Sequence, residues 1–283
     1  MTTLQSTPHT PHAMVGRTPA DPTAGLSVRP GLRDTVHQTL AMAWRALKKM
    51  RRNPEQFFDV ALQPILFTAM FGYIFGGAIS GSVSAYLPLM IPGILAQTTL
   101  TASMASGTQM REDMDKGVFD RFKSLPIARI APLAGPVIAD LIRYGIAATI
   151  TIAVGMLMGY RPGGGVGGVA AGWLLTIIAG WSLSWIFVAL GTVARSAMAV
   201  QGIGMMIMFP LTFLSNAYVP TSTLPDWLKT FVQLNPVSHV VTAVRDLMNS
   251  GDITIEVLWA LGGCAIVVAI FAPLAVRSYS RKM

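Results

Sequence analysis

The chain has 283 residues, of which 52% are hydrophobic and only 12% are charged. Soluble domains carry about 25% charged residues, so this composition excludes an ordinary soluble domain and indicates an integral membrane protein. The formal net charge is +8, but the positive residues are concentrated in particular loops, which fits membrane orientation better than nucleic-acid binding. Cys264 is the single cysteine, which excludes a disulfide within the chain and a cysteine-based metal site.

The first segment, residues 1–31, is rich in Thr, Pro and Ala and has no apolar run like that of a signal peptide. We expect it to be a disordered cytoplasmic tail, and we expect residues 32–283 to form one transmembrane domain. From Leu32 to Arg52 apolar residues recur at helical spacing and basic residues crowd the end. This pattern predicts an amphipathic helix on the cytoplasmic membrane surface; a nucleic-acid-binding patch is the alternative.

Six apolar runs follow this helix, and each is long enough to cross a hydrocarbon core that needs about 20 helical residues. Lipid offers no partners for bare backbone groups, so each run is predicted to be a closed helix. The predicted fold is therefore an all-α membrane protein with six transmembrane helices. The runs cover residues 57–79, 87–109, 134–160, 166–193, 199–219 and 253–276.

The distribution of Lys and Arg predicts the orientation. With the N-terminus in the cytoplasm, the cytoplasmic segments hold 17 of the 21 basic residues. Three others, Arg161, Lys229 and Arg245, fall outside, and Arg143 falls within a run. Cytoplasmic loops of membrane proteins carry an excess of Lys and Arg, so both termini are predicted to lie in the cytoplasm.

The most charged segment is residues 111–126, between the second and third runs. Phe119 and Phe122 are three residues apart and share one face of a helix, Gly117 permits a bend, and Pro126 ends any helix near residue 125. Two aromatic residues surrounded by charge suggest a docking element for a soluble partner. A solvated loop is the alternative interpretation.

Asp140 and Arg143 lie early in the third run. Charges at the bilayer centre cost about 2.5–3.5 kcal/mol each on insertion scales, and the uncharged residues 144–160 are just long enough to span. We therefore expect the pair at the inner interface, in contact with water. A buried proton relay is the sharper alternative.

The loop from Thr221 to Asp252 is too apolar for a free extracellular loop. Asn235-Pro236 divides it into two short helical pieces, neither of which can span. We expect an outer re-entrant helical hairpin that dips into the outer leaflet. Its polar residues, which are expected to face lipid headgroups or alternatively a gate, are His239, Arg245 and Asp246.

Three segments resemble motifs of the ABC-2 family of ABC transporter permeases, within the daunorubicin-resistance exporter subgroup. They are residues 115–121 (DKGVFDR) with Pro126 after them, 209–216 (FPLTFLSN) and 235–245 (NPVSHVVTAVR). The resemblance covers roughly residues 35–276. It implies a multi-pass permease of the bacterial plasma membrane, with a cytoplasmic coupling helix between the second and third spans.

The resemblance also implies partners. The sequence has no Walker A motif, because none of its six lysines follows a glycine. ATP hydrolysis is therefore expected on a separate nucleotide-binding subunit, present in two copies, which binds ATP and Mg²⁺. This chain is expected to bind no cofactor or metal and to pair with a second permease chain, identical or homologous. The residues that would couple to the ATPase are Arg111, Asp113, Lys116, Gly117, Phe119, Arg121 and Phe122.

The expected substrate is an amphipathic drug, an antibiotic or a lipid-like molecule moved out of the cell; a glycolipid or polysaccharide is the alternative. The route would run between two permease chains along the second and fifth spans, since the fifth is rich in adaptable Met. A membrane enzyme or an ion-driven transporter would need ionisable groups at membrane depth, and few are present. The candidate route residues, which could also serve only packing, are Gly202, Met205, Met206, Phe209 and Pro210.

Overall fold

The computed structural model describes residues 31–52, 54–118, 128, 130–219 and 224–281, with the backbone alone for residues 54–60. Every regular element among these residues is an α-helix, which agrees with the all-α prediction. The predicted disordered tail lies outside the described residues except for Gly31. The helices are α1 (Leu32–Arg51), α2 (Pro54–Ser80), α3 (Val83–Ala102), α4 (Met104–Asp115), α5 (Ala131–Leu157), α6 (Gly165–Val193), α7 (Ala197–Phe213), α8 (Asp226–Leu234), α9 (Pro236–Asn249) and α10 (Ile255–Arg281).

Helix α1 is amphipathic, as its apolar spacing predicted. One face packs on α5, and Gly135 allows this close approach because a Cβ there would lie 2.4 Å from Cβ of Met42. Thr39, Ala43 and Met50 are buried. In the part of the chain that the structure describes, nothing covers the opposite face, whose exposed apolar residues are Leu32, Val36, Leu40 and Trp44.

Among the described residues, five helical segments are long and apolar enough to cross a membrane. They are residues 61–80 of α2, the stretch 83–115 formed by α3 and α4 together, and the helices α5, α6 and α10. The fifth predicted run, residues 199–219, corresponds in part to α7, which is apolar but has only 17 residues. The chain is therefore an integral multi-pass membrane protein.

Two of the predicted runs extended too far. Helix α5 ends at Leu157, and not at Tyr160, because the chain turns through Gly159 with a φ of +106°. Helix α7 ends at Phe213, and not at Val219. Residues 214–219 resemble a continuation of the apolar span in sequence, but they pack into the protein in a non-helical conformation.

The core forms around α3, which is surrounded by α5, α6 and α9. Gly93 permits the closest approach: a Cβ there would lie 2.1 Å from the carbonyl oxygen of Ala217. Beside it, the buried hydroxyl of Tyr86 donates to the carbonyl of Tyr218 at 2.8 Å. The largest fully buried side chains of α3 are Tyr86, Leu87, Met90, Ile91, Ile94, Leu95 and Leu100.

The helical hairpin before the last span is present as α8 and α9, and the break falls at Asn235, as predicted. The Asn235 amide accepts from the backbone of Val237 at 2.9 Å and donates to the carbonyls of Leu211 and Leu214, at 2.8 and 3.0 Å. The asparagine thus ties the hairpin to the end of α7. The apolar face of α9 that suggested contact with lipid is buried against α3, α6 and α10.

The polar residues of the hairpin bind other parts of the chain, and the sequence did not predict these contacts; that they face lipid headgroups stays a prediction. Arg245 donates to the carbonyls of Leu89 and Asn216, at 3.2 and 2.7 Å. His239 pairs with Glu256 of α10, and Asp246 accepts from Thr254 at 2.9 Å. Burial lowers the pKa of Arg245 to about 10, with Asp246 opposing the shift. Its guanidinium therefore remains charged at neutral pH and joins α9 to α3 and to the segment after α7.

Candidate functional site

A groove with a volume of about 610 Å³ lies between α2, α4 and α7. Its apolar walls include Leu66 and Phe67 of α2, Met104 of α4 and Met205 of α7. Unlike the lipid-facing surfaces of these helices, the groove also carries many side chains that can form hydrogen bonds. They are Gln63, Thr98, Thr101, Thr108, Gln109, Glu112, Arg143 and Gln201.

Four of the polar side chains lie near the ends of helices. Gln63 and Gln201 lie within the first three turns of α2 and α7, and Gln109 and Glu112 lie within the last two turns of α4. Sites of this kind orient a ligand through a few polar groups and bury its hydrocarbon against the walls, so the groove suits an amphipathic molecule.

The described residues include no group of His, Cys, Asp or Glu that could hold a metal ion. The polar part of the groove is made of amides, hydroxyls and two charged side chains, Glu112 and Arg143. These groups can bind and orient a molecule by hydrogen bonds and charge. The chemistry that they support is recognition.

The candidate route residues divide into two groups. Met205 lines the groove beside the second span. Gly202, Met206, Phe209 and Pro210 lie on the exposed side of α7. Phe209 stacks on Phe213 with ring centroids 4.4 Å apart, and a Cβ at Gly202 would meet no atom within 4 Å. These four residues thus face outward from the single chain, next to the groove.

Sequence reasoning missed Gln63 and Gln201 as candidate site residues. Both are primary amides within runs of apolar residues, and polar side chains inside a span usually face a cavity or another helix. That signal was visible in the sequence. That they line one groove from two different helices, α2 and α7, was not visible, because no periodicity within one helix reports which face meets a neighbour.

The charged end of α4 is bound to two other parts of the chain. The Nζ atom of Lys49 on α1 lies 3.0 Å from the Oδ1 atom of Asp113. Arg111 pairs with Asp115 and also donates to the carbonyl of Ala194, between α6 and α7, at 2.9 Å. Three elements therefore meet where α4 leaves the bundle.

The predicted separate element at residues 111–126 begins as part of a longer helix. Residues 111–115 complete α4, which continues the second span, and the chain turns at Gly117 with a φ of +65°. Lys116 pairs with Glu112 at 3.3 Å. Phe119, Arg121 and Phe122 lie outside the described residues. The structure brings together the remaining predicted coupling residues, which are Arg111, Asp113, Lys116 and Gly117.

The expectation that Asp140 and Arg143 remain in contact with water is wrong. Their side chains are 4% and 5% exposed and form an ion pair of 3.1 Å within α5. The alternative of a chain of proton carriers gains no support, because the partners of the pair are a hydroxyl and a backbone carbonyl, from Ser106 and Ala102. Position along the sequence could not predict the neighbours that cover the pair.

A comparison with protein families matches residues 37–249 to the ABC-2 type transporter model. The chain belongs to the ABC-2 type transporter family. The matched residues run from α1 to the end of α9, so the family match includes the groove, the charged end of α4 and the hairpin.

Two relatives extend this assignment. The chain is 41% identical over 254 residues to the daunorubicin resistance ABC transporter permease protein DrrB1 of Streptomyces coeruleorubidus, and the match covers 90% of each protein. It is 23% identical over 246 residues to the probable doxorubicin resistance ABC transporter permease protein DrrC of Mycobacterium tuberculosis, covering 85% of this chain and 88% of that protein. The predicted resemblance to the daunorubicin-resistance permeases is confirmed.

Proposed function

We propose that this chain is the membrane-spanning permease subunit of an ATP-driven exporter, and that it moves an amphipathic drug, antibiotic or lipid-like molecule out of the cell. The observation that carries the proposal is the groove between α2, α4 and α7. It combines apolar walls with hydrogen-bonding side chains in a member of the ABC-2 family. The names of the drug-resistance relatives support the same class of cargo.

In this proposal the energy comes from a separate ATPase. The permease itself carries no Walker A motif, so ATP and Mg²⁺ would bind to two copies of a nucleotide-binding subunit. The charged end of α4 is the proposed contact with that subunit. Because it is bound to α1 by Lys49 and to the α6–α7 connection by Arg111, movement there would reach three elements of the membrane domain.

We propose six spans with both termini in the cytoplasm. The spans are α2, α3 with α4, α5, α6, α7 and α10. Helix α7 has 17 residues and is roughly 25 Å long, which falls somewhat short of a hydrocarbon core of about 30 Å. The packed segment after Phe213 and the hairpin α8–α9 would complete the outer part of this crossing. The 17 basic residues in the proposed cytoplasmic segments support this orientation.

A second permease chain, identical or homologous, would complete the route. The groove opens to one side of the chain, between the exposed faces of α2 and α7. Gly202, Met206, Phe209 and Pro210 lie on the exposed face of α7. In the complete transporter this face would meet its counterpart on the other chain, and the two grooves would enclose the substrate.

Purification of the tagged chain from its own cells, followed by transport into inside-out vesicles, tests the proposal. We expect an ABC ATPase to copurify and doxorubicin to accumulate in the vesicles only when ATP is hydrolysed. A non-hydrolysable ATP analogue should abolish accumulation, whereas a protonophore should leave it unchanged. Accumulation that persists without ATP and disappears with the protonophore would show instead an ion-driven transporter.

A further inference from the structure

The second span is interrupted at Ser103, between α3 and α4. The amide of Ser106 donates to the carbonyl of Ser103 at 3.2 Å, which is three residues back instead of the four of a regular α-helix. The carbonyl of Ala102 is therefore open to another donor. Nη2 of Arg143 occupies this position at 2.9 Å. A charged side chain of α5 thus holds the interruption in the second span.

The charge of Arg143 is balanced at the same place. Nη2 of Arg143 lies 3.1 Å from Oδ1 of Asp140, and the hydroxyl of Ser106 donates to the other carboxylate oxygen. The hydroxyl of Tyr144 lies 3.2 Å from that of Ser106. Ser106, Asp140 and Arg143 therefore close a ring of polar contacts across the interruption, and we call these three residues the latch.

The latch separates two cavities. Asp140 and Ser106 line a cleft of about 50 Å³ between α1, α4 and α5, which also contains Lys49 and Asp113. Arg143 lines the much larger groove between α2, α4 and α7. Asp140 thus lines the cleft that reaches the charged end of α4, and Arg143 lines the candidate substrate groove.

We propose that the latch is a positioning device that reports the occupation of the groove to the charged end of α4. This inference rests on the proposed export function. A ligand whose carbonyl or similar oxygen reaches Arg143 competes with the carbonyl of Ala102 for the guanidinium. Among the described residues, Nε of Arg143 has no hydrogen-bond partner, so the side chain has a further donor to offer when it turns toward a ligand.

Loosening of the latch frees α4 to move relative to α3. The mechanical path is short, because Ser106 lies in the first turn of α4 and Asp113 lies in its last turn. Asp113 and Arg111 carry the contacts to α1 and to Ala194. Binding of a ligand in the groove thereby changes the surface that the ATPase would contact, although the ligand does not touch that surface.

The test compares Ser106→Ala with Ser184→Ala in the complex of permease and ATPase, reconstituted in lipid nanodiscs. Ser184 is a matched control, since it is also buried but donates only to the carbonyl of Trp181 in its own helix. For Ser106→Ala we expect basal ATP hydrolysis to rise, because the latch is already loosened before any ligand binds. Stimulation of hydrolysis by doxorubicin should decrease by about fivefold, which corresponds to the loss of roughly one hydrogen bond. Ser184→Ala should behave as the unmodified protein.

Arg143→Lys provides a second variant that retains the charge but not the planar fork of donors. We expect it to reduce the stimulation as Ser106→Ala does, with the complex still assembled. Full stimulation in both variants would overturn the latch. Loss of assembly, basal hydrolysis and stimulation together would show a structural role only, and would also overturn it.

Hydrogen–deuterium exchange without any ligand separates failure of the latch from failure of the export function. In Ser106→Ala the amides of residues 103–107 should exchange faster than in the unmodified protein, whereas those of residues 176–184 should not change. Faster exchange in Ser106→Ala, together with a failure of doxorubicin to stimulate the unmodified complex, would refute doxorubicin export and would still support the latch as the contact that holds the interruption. Unchanged exchange at residues 103–107 would overturn the latch whatever the transport result.

Discussion

Replacement of aspartate by alanine is expected to cost more stability in the buried Asp140–Arg143 pair than in the partly exposed Asp113–Lys49 pair. Asp140→Ala leaves the guanidinium of Arg143 buried without its counter-charge, and we expect a destabilisation of about 3–5 kcal/mol. Asp113→Ala removes a partner from the partly exposed pair with Lys49, for which we expect less than about 1 kcal/mol. Thermal unfolding of the detergent-purified protein measures both changes.

The double variant Asp140→Ala/Arg143→Met supplies the control for this prediction. It removes the unpaired charge as well as its partner, so it should recover most of the stability that Asp140→Ala loses. If Asp140→Ala is no more damaging than Asp113→Ala, the pair is not buried in the protein as it exists in detergent.

Replacement of glycine by alanine is expected to have opposite results at positions 93 and 262. In Gly93→Ala the new Cβ would lie 2.1 Å from the carbonyl oxygen of Ala217, a backbone atom that cannot move independently. In Gly262→Ala it would meet no atom within 4 Å. We expect Gly93→Ala to reduce the amount of folded protein in the membrane severalfold and Gly262→Ala to leave it unchanged. Size-exclusion chromatography of a fluorescent fusion measures this amount, and equal peaks for the two variants would contradict the close approach.

At the scale of elements, the charged end of α4 is predicted to couple the permease to its ATPase. Gly117 has a φ of +65° and Gly165, at the other end of the bundle, has a φ of +63°. Alanine at either position imposes a similar backbone strain of about 1 kcal/mol. We expect Gly117→Ala and Phe119→Ala to insert normally but to lose substrate-stimulated ATP hydrolysis, whereas Gly165→Ala should retain it. Retention by all three variants would contradict a role of this segment in coupling to the ATPase.

The exposed side of α7 carries a prediction about substrate choice. A Cβ at Gly202 would lie in open space, whereas at Gly204 it would lie 2.7 Å from the end of Met104 and 3.1 Å from the ring of Phe187. Leucine at position 202 should therefore change the relative export of several apolar drugs with the protein level intact. Leucine at position 204 should reduce the level itself. Export of each drug, normalised to the permease present, decides whether this face belongs to the route.

The sequence predicted elements better than contacts. Composition and run length located the apolar helices to within a few residues at most ends, because a span must satisfy its own backbone in lipid. The end of α7 was misplaced because residues 214–219 are apolar for a different reason, namely packing against α3 and α9. The groove could not be predicted, since Gln63, Gln109 and Gln201 converge only when three helices are placed side by side.

For the whole molecule, the predicted orientation is open to a labelling test. After Cys264→Ala, single cysteines are introduced at the exposed positions Ser84, Arg161 and Lys116. A membrane-impermeant maleimide added to intact cells should react at positions 84 and 161 and not at position 116, because 17 of the 21 basic residues then lie inside. Reaction at position 116 before the cells are opened would reverse the topology. Tyr86 is unsuitable for this test, since it is fully buried.

The interruption at Ser103 gives the second span the geometry of a lever. Helix α4 has 12 residues and is roughly 18 Å long, and it pivots beside the place where Arg143 contacts Ala102. A tilt of about 10° at this pivot moves the far tip by about 3 Å, given the rise of a helix per residue. That displacement is comparable to the length of a hydrogen bond, so it is sufficient to separate Asp113 from Lys49. A rearrangement of one side chain deep in the membrane domain is thereby amplified into a movement that a partner protein can sense.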